Sequence, residues 1–253
     1  MMQQSRGRAR IGVLVPFTNT NLEADMMLLR PAGVSFHFAR IGGYDADAVP
    51  DSGQMSSLGA APLDEPLQLL SGVRPDLVMY GCTSATLTHG VEFDRDLASR
   101  IAVSSGAKTV TAAGSLIEAV GTLGVSRIGF ASPYVAQIND EAIAFLGGCG
   151  IETVSRFDYP VALGNYGQGE LDPDQVFELG IKADSPGAQA IVLSCTDMRA
   201  LEVIDRLEKT LGKPVISSNQ AMLFVALELL GLDTKITGYG TLLARRISGR
   251  KSA

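Results

Sequence analysis

The chain carries one pattern twice, and this repeat constrains the fold more than any other feature of the sequence. In the first copy, RIG at 10–12 begins six residues before a proline and 72 residues before Cys82. In the second copy, RIG at 127–129 begins six residues before a proline and 68 residues before Cys195. A third pair of blocks, GAKTVTAAGSL and LGKPVISSNQA, follows the two cysteines. Three matched blocks in one order predict two similar halves.

Short apolar runs alternate with segments of helical pattern through both halves. This alternation is typical of a parallel sheet that is covered by helices on both faces. The predicted strands are 10–16, 34–41, 76–81, 126–132, 188–194 and 213–218, and the predicted helices are 21–30, 62–73, 90–106, 137–147, 200–212 and 219–231. We therefore predict an α/β fold of two halves related by a pseudo-twofold axis. Each half is a mostly parallel sheet flanked by helices, and the active site lies in the cleft between them.

The halves are expected to divide the chain unevenly, and one segment has a different character from the rest. We assign 9–112 plus 220–246 to the first α/β half and 113–219 to the second. Segment 42–61 is rich in Gly, Ser, Ala and Asp and shows no clear periodicity. A long loop inside a compact α/β unit is often a functional flap. A mobile surface loop is an equal alternative.

Composition and charge exclude several classes of function. Hydrophobic residues make up 46% of the chain, which is enough for a core, and the net charge of −6 comes without a basic cluster outside the two ends. Nucleic acid is therefore not an expected partner. The start of the chain lacks an apolar signal segment, and no apolar run has the length of a membrane span. We expect a cytoplasmic protein with no membrane partner and with reduced thiols.

The three cysteines do not suggest a disulfide framework or a metal site. Their number is odd and their spacing irregular, and His37 and His89 have no ligand-like spacing to any of them. Cys149, in the sequence LGGCG, has no catalytic context and is expected to be a structural or surface thiol. We expect no metal.

Cys82 and Cys195 each follow an apolar strand and precede hydroxyl residues. Thr83 and Ser84 follow the first cysteine, and Thr196 follows the second. A thiol at the start of a helix lies near unpaired N–H groups, which lower its pKa, and the same groups bind carboxylates. A single cysteine in such a place is more often a small buried apolar residue. Because the arrangement is duplicated, we expect both cysteines to be catalytic.

Two opposed cysteines suit two reactions that require no cofactor. One thiolate takes a proton from carbon while the other thiol delivers a proton to the opposite face, which is racemisation. In the alternative, one thiolate adds to an activated double bond and the other group protonates the adjacent carbon. The resulting single bond rotates before elimination restores the double bond. Either scheme needs hydrogen-bond donors that hold the negative charge.

Six segments carry a resemblance to a known family: VPFTNTNLE, YGCTSAT, ASPYVAQIND, LGNYGQGELDP, SCTDMRAL and KPVISSNQA. Through them, and over about residues 9–232, the chain resembles the aspartate/glutamate racemase superfamily. Within it, the chain is similar to the branch of maleate cis-trans isomerases and arylmalonate decarboxylases. The resemblance implies a site between two α/β halves, no cofactor, a small carboxylate substrate and a homo-oligomer.

The resemblance also implies roles for individual residues. Cys82 holds the place of the nucleophile, and Cys195 holds that of the acid/base partner. The substrate-binding residues expected from the family and from the cysteine turns are Asn19, Thr83, Ser84, Tyr134, Asn165 and Thr196.

Several of these residues also have structural alternatives. Asn19 could cap the following helix, Asn165 lies in a Gly-rich turn where Asn is common, and Tyr134 could be a core ring. Asp197 and Asn219 are expected near the site without an assigned role.

Two departures from the family pattern bear on the reaction. The decarboxylases have glycine where this chain has Cys82, which argues against simple decarboxylation. Maleate isomerases commonly show PSSNT where this chain reads PFTNT, so Phe17 allows a more apolar pocket and a different substrate. We predict a cofactor-independent isomerase of a small dicarboxylate, of the maleate isomerase type. The open alternatives are a two-base racemase of an amino acid or related 2-substituted acid, an arylmalonate-type decarboxylase and a non-catalytic carboxylate-binding protein.

Overall fold

The computed structural model describes residues 7–43 and 45–244, and its strands form two four-stranded sheets. The strands are β1 (Ala9–Pro16), β2 (Val34–Ile41), β3 (Leu77–Tyr80), β4 (Lys108–Thr111), β5 (Arg127–Ser132), β6 (Glu152–Asp158), β7 (Ala190–Leu193) and β8 (Val215–Ser217). The first sheet has the order β2-β1-β3-β4 and the second β6-β5-β7-β8. Every strand pairing is parallel. The two sheets therefore repeat one topology.

Helices follow the strands in both halves. They are α1 (Asn21–Leu28), α2 (Ser52–Ala60), α3 (Asp64–Ser71), α4 (Thr83–Leu87), α5 (Val91–Ser105), α6 (Ala112–Leu123), α7 (Ala136–Gly148), α8 (Pro173–Lys182), α9 (Ile204–Leu211), α10 (Ser218–Leu229) and α11 (Gly240–Ala244). None of the helices in the described ranges is long and apolar enough to cross a membrane.

The central strands carry the core of each half. β3 and β7 are buried along their whole length, as expected for short apolar strands that are covered on both faces. Two equivalent helices, α6 and α10, begin directly after the edge strands and pack against each other. Thr111 caps α6 by accepting a hydrogen bond from the backbone N–H of Gly114, and Ser217 caps α10 in the same way through Gln220. This packing joins the two halves.

The predicted fold class is confirmed, because both halves are parallel α/β units with one strand order. The first sheet is built from strands within 9–112 and the second from strands within 113–219, and the assignment of these ranges to two domains stays a prediction. The proposed return of 220–246 to the first half stays a prediction. Within that segment, α11 packs against β8 and α9 of the second half, and residues 245 and 246 lie outside the described ranges.

The structure differs from the sequence-based expectation at several elements, and β4, α4, α6, α8 and α11 were not among the predicted strands and helices. Segment 42–61 was expected to lack regular structure, but it contains α2, which Asp51 caps by accepting from the backbone N–H of Gln54. The helix predicted over 200–212 begins only at Ile204, because turns occupy the preceding residues. The edge strand β6 was not predicted, since its half-buried residues form no apolar run.

Candidate active site

The loops after β1, β3, β5 and β7 converge on one pocket between the halves. The residues that line it are Pro16, Thr18, Asn19, Met55, Leu58, Cys82, Ser84, Tyr134, Asn165, Gln168, Cys195, Thr196 and Asp197. Both cysteines are buried. The pocket volume is about 30 Å³, which accommodates about two waters at about 10–15 Å³ each. The structure thus brings together both expected catalytic residues and five of the six expected binding residues.

Thr83 is the expected binding residue that does not line the pocket. It is fully buried, and its hydroxyl donates to Ser218 Oγ at 3.0 Å. Ser218 is the first residue of α10. The side chain of Thr83 therefore fastens the turn of the first cysteine to the helix that joins the halves.

Cys82 precedes α4 and faces several hydrogen-bond donors. Its Sγ lies 3.7 Å from Ser84 Oγ. Burial raises the pKa of the Cys82 thiol, while hydrogen bonds from Ala85 and Ser84 act in the opposite direction. Desolvation disfavours the thiolate, and donors aimed at the sulfur favour it.

Besides burial, the carboxylate of Asp197 raises the pKa of both thiols, and it is a leading cause at Cys195 but the smallest one at Cys82. The Sγ of Cys195 accepts a hydrogen bond from the backbone N–H of Asp197 at 3.3 Å and lies 3.7 Å from Gln168 Oε1. Burial raises the pKa of Cys195 well above its ordinary value, and the nearby Asp197 carboxylate raises it further. A hydrogen bond from Tyr134 has the opposite effect. This thiol is held in its protonated form.

The sequence-based expectation that both thiols have lowered pKa values is wrong for this closed pocket. The helix after Cys82 has five residues, and Cys195 is followed by bends instead of a helix. Neither turn provides the dipole of a long helix. Desolvation in the buried pocket is therefore the dominant effect on both thiols.

Tyr134 lies beside both thiols. Its ring is buried, and its hydroxyl forms hydrogen bonds with Cys195 and Ser84. Burial raises the pKa of Tyr134 well above its ordinary value, and the charges of Cys195 and Cys82 raise it further. The phenol therefore stays neutral and is available as both donor and acceptor.

Asn19 lines the pocket, as expected, and it also caps α1, which was the structural alternative. Its Oδ1 accepts from the backbone N–H groups of Asn21 and Leu22, at 3.1 and 2.9 Å, at the start of α1. Its Nδ2 donates to Thr196 Oγ1 at 3.1 Å, and Thr196 Oγ1 donates to the carbonyl of Gly81 at 2.9 Å. These bonds connect the loop after β1 with both cysteine turns.

Asp197 fastens the second half to the start of α1. Its Oδ1 accepts from the backbone N–H groups of Thr20 and Asn21, at 2.9 and 3.0 Å, and from Asn21 Nδ2 at 2.9 Å. Burial raises the pKa of Asp197, and these donors partly offset the effect. The guanidinium of the nearby Arg199 pairs with Glu202 instead of with Asp197.

Asn219 lies behind the pocket wall. Its Nδ2 donates to Asp25 Oδ2 at 2.7 Å and to the carbonyl of Thr196 at 3.0 Å. Burial raises the pKa of Asp25 to about 7, while the hydrogen bond from Asn219 lowers it. This buried pair supports the turn that carries Cys195.

Asn165 connects the pocket to a covering segment, residues 45–60, that includes α2. Its Nδ2 donates to the carbonyls of Asp45 and Ala48, at 3.2 and 3.1 Å, and to Gln54 Oε1 at 3.0 Å. In the covering segment, Met55 and Leu58 are apolar wall residues. The Ser84 hydroxyl donates to Met55 Sδ at 2.9 Å.

Five wall residues were not assigned from the sequence: Pro16, Thr18, Met55, Leu58 and Gln168. Gln168 lies in the same Gly-rich segment as Asn165, so its polar side chain was the available signal. Met55 and Leu58 belong to the segment in which no helix was recognised.

The charge of the pocket wall is unusual for a site that would receive an anion. Asp197 is the one charged wall residue, and the other polar groups are amides, hydroxyls, thiols and the phenol. An anionic ligand would therefore be held by neutral donors. Among the described residues, no group of three His, Cys, Asp or Glu side chains is placed to hold a metal ion.

A family model described as arylmalonate decarboxylase matches residues 68–243, more than half of the chain. The chain belongs to the arylmalonate decarboxylase family. The maleate isomerase of Geobacillus stearothermophilus is 27% identical over 249 residues and aligns with 93% of this chain and 97% of its own length.

Solved structures agree with this assignment. The maleate isomerase Iso from Pseudomonas putida is 25% identical with a TM-score of 0.85, covering 93% of this chain and 98% of that protein. A Nocardia farcinica maleate cis-trans isomerase mutant with a covalently bound succinylcysteine intermediate is 24% identical, also with a TM-score of 0.85 and the same coverage. The resemblance inferred from the six segments is confirmed, and the family is one of enzymes.

Proposed function

We propose that the protein is a cofactor-independent cis-trans isomerase of a small dicarboxylate, of the maleate isomerase type. The observation that carries the proposal is the pair of cysteines on equivalent turns of the two halves, which line one buried pocket. The neutral phenol of Tyr134 lies beside both of them. The named relatives support isomerisation, and the Nocardia farcinica protein supports a cysteine adduct.

The reaction begins with the addition of sulfur to the double bond. The Cys82 thiolate forms a C–S bond to one alkene carbon, and the π electrons move to the other carbon and its carboxylate. The Cys195 thiol then gives its proton to that second carbon, which leaves a succinyl group on Cys82 and a thiolate on Cys195. The former double bond is now single and can rotate.

The second part of the reaction reverses the first. After rotation, the Cys195 thiolate takes a proton from the carbon that was protonated. The C–S electron pair returns to Cys82 as the double bond reforms in the trans geometry. No electrons are gained or lost, and both sulfurs return to their starting states.

The electrostatic difference between the two thiols supports this division of roles. At Cys82, donors from Ser84 and Ala85 favour the thiolate, although burial outweighs them in the closed pocket. The carboxylate of Asp197 disfavours a thiolate on Cys195, which suits a group that begins as the acid. The side chains of Asn19, Ser84, Tyr134, Asn165 and Thr196 would hold the substrate carboxylates and the negative charge of the intermediate.

Substrate entry requires movement of the covering segment. A pocket of about 30 Å³ is too small for a four-carbon diacid. The wall residues Met55 and Leu58 belong to α2, and Asn165 holds the covering segment by two hydrogen bonds to the loop before α2 and one to Gln54 within it. We infer that this segment opens to admit substrate and closes over it, which makes it the flap anticipated for 42–61.

Proton NMR in heavy water with maleate and L-aspartate together tests the proposal. Movement of the maleate vinyl signal to the fumarate position is the expected result. Loss of the aspartate α-proton signal would instead favour the two-base racemase. If neither signal changes, the assignment to maleate is wrong.

Variants separate the roles of the cysteines. Cys82→Ala should abolish turnover, whereas Cys195→Ser should accumulate a protein whose mass has increased by one substrate. Cys149→Ala is the matched control, because Cys149 does not line the pocket, and it should keep the activity of the parent. Activity of Cys82→Ala close to that of the parent would refute the assignment of the nucleophile.

A further inference from the structure

A second cavity lies on the first half and shares no wall residue with the catalytic pocket. It has a volume of about 840 Å³ and lies between α5, β4, α6 and the end of α10. Cavities of about 300–1,000 Å³ are typical of small-molecule sites.

Three unpaired oxygen atoms belong to residues that line this cavity. Asp94 Oδ1, Ser115 Oγ and Thr109 Oγ1 are buried without a hydrogen-bond partner within residues 7–43 and 45–244, and all three residues line the cavity. Asp94 is 6% exposed and Ser115 is 2% exposed. Native structures leave few buried polar atoms unpaired, so three around one cavity call for a partner.

The second half shows what fills the equivalent place there. The two halves correspond through Gly106 and Gly212, which end α5 and α9 in the same left-handed conformation. In the second half, α11 packs against β8, α9 and α10, the counterparts of β4, α5 and α6. The cavity of the first half lies among these three counterparts, where no helix corresponding to α11 is found in the described residues.

In the second half, two carboxylates of α9 accept hydrogen bonds from the start of α11, the helix that occupies the equivalent place. Glu208 Oε2 accepts from the backbone N–H of Thr241 at 2.9 Å and from its hydroxyl at 2.8 Å. Asp205 Oδ1 accepts from the backbone N–H of Gly240 at 2.8 Å. In the first half, α5 has no carboxylate at the positions that correspond to Asp205 and Glu208, and Asp94 lines the cavity from an earlier turn of that helix. Its unpaired oxygen requires a donor, so a ligand for it should bring N–H groups.

The other residues that line the cavity indicate which further groups a ligand should carry. Apolar side chains form much of the lining: Val91, Ala98, Val110, Ile117, Val225, Leu229 and Leu232. Of the charged lining residues, Asp94, Glu118 and Glu228 are acidic and Arg95 is basic. The acidic excess favours a cation, and a hydrogen bond between an ammonium group and a buried carboxylate is among the stronger ones in proteins.

We propose that this cavity binds a small organic amine. Its ammonium group would lie against Asp94 with Ser115 and Thr109 beside it, and its hydrocarbon body would pack on the aliphatic walls. Burial raises the pKa of Asp94, although hydrogen bonds from Thr111 and Thr86 lower it. A bound cation favours the charged carboxylate and thus removes part of the cost of burying it.

The test compares three probes of one shape by ligand-observed NMR: 2-phenylethylamine, 2-phenylethanol and 3-phenylpropionate. The amine should bind at least about tenfold more tightly than the alcohol, and the carboxylate should not bind at this site. Excess maleate should leave amine binding unchanged, because the catalytic pocket is separate.

Two variants examine the cavity itself. Asp94→Asn should remove the preference for the amine over the alcohol. Since Asp94 also bonds to Thr86 and Thr111, Ala98→Phe provides a second variant that fills the cavity from α5 without touching that network. Ala98→Phe should abolish amine binding and keep the catalytic activity. Ser99→Phe, on an exposed neighbouring position, should preserve both.

Several outcomes would overturn the proposal. Equal binding of amine and alcohol would remove the role of Asp94. Amine binding that survives both Asp94→Asn and Ala98→Phe would place the ligand elsewhere. A dimer by light scattering that Ala98→Phe dissociates would show that a second copy of the chain covers the cavity.

Discussion

Replacement of Asp25 by asparagine should stabilise the protein above neutral pH. Asp25 is 6% exposed, and its Oδ2 accepts a hydrogen bond from Asn219 Nδ2 at 2.7 Å. Asparagine has the same shape and keeps an oxygen for this bond. The substitution therefore removes a buried charge and leaves the contact in place.

The size of the effect follows from the pKa of Asp25. Burial raises it from 3.8 to about 7. Between these two values the folded protein binds more protons than the unfolded chain, so stability is highest at low pH and falls as the pH rises toward 7. At about 1.4 kcal/mol for each pH unit, the parent should lose about 2–3 kcal/mol between about pH 5 and about pH 8 through this group. Asp25→Asn should not show this loss.

Urea denaturation of the parent and of Asp25→Asn at both pH values measures the difference. Asp94 also has a raised pKa, but it acts equally in both proteins and cancels in the comparison. The charge of Asp197 contributes to the raised pKa of Asp25, so this coupling is part of the measured difference. Asp96→Asn, an exposed change on α5, is the control and should shift stability by less than about 0.5 kcal/mol. If Asp25→Asn is less stable than the parent by the same amount at both pH values, the reasoning about desolvation is wrong.

Three further predictions concern the pocket and its support. Gly81→Ala should lower the free energy of unfolding by about 1–3 kcal/mol, because the new Cβ would lie 2.8 Å from a backbone oxygen of β1. Gly121→Ala, whose Cβ would lie in open space on α6, should raise it by about 0.5–1 kcal/mol. Thermal melts of both variants check these values. Asn165→Ala removes three hydrogen bonds and should speed hydrogen exchange in α2 by about tenfold or more, and unchanged exchange would contradict its role in holding the covering segment. Asp197→Asn should lower the pKa of Cys195 and speed its alkylation at about pH 8. Mass spectrometry follows the reaction, with Cys149, which lies outside the pocket, as the reference thiol.

Much of the scaffold could be predicted because its signals are local. The central strands are continuous apolar runs, and the duplicated blocks showed that one topology occurs twice. Two of the elements that were missed lack such signals. The helix of Ser52–Ala60 is rich in Gly and Ser, which are weak helix formers, and the strand of Glu152–Asp158 is half-buried and polar. The Asp51 cap three residues before Gln54 was a usable sign of the helix start.

The sequence predicted which residues form the candidate site better than it predicted the contacts of their side chains. Duplication indicated the pair Cys82 and Cys195, but it could not show that the Thr83 hydroxyl turns toward α10. The pKa values of the thiols depend on how completely the two halves enclose them, and that is a property of the tertiary structure. The hydrogen bond by which Asp197 connects the second half to the start of α1 likewise depends on a partner 177 residues earlier in the chain.

The long sequence separation across the pocket has a consequence for the order of folding. The bond from Asn19 to Thr196 spans 177 residues, that from Thr196 to Gly81 spans 115, and that from Asn219 to Asp25 spans 194. Such closures are entropically costly and tend to form late. During synthesis Cys82 emerges well before Cys195, so the first half can fold while its cysteine still lacks its partner. Catalytic competence therefore reports the docking of two folded halves, and a chain that stops before α10 should contain a folded sheet without a working site.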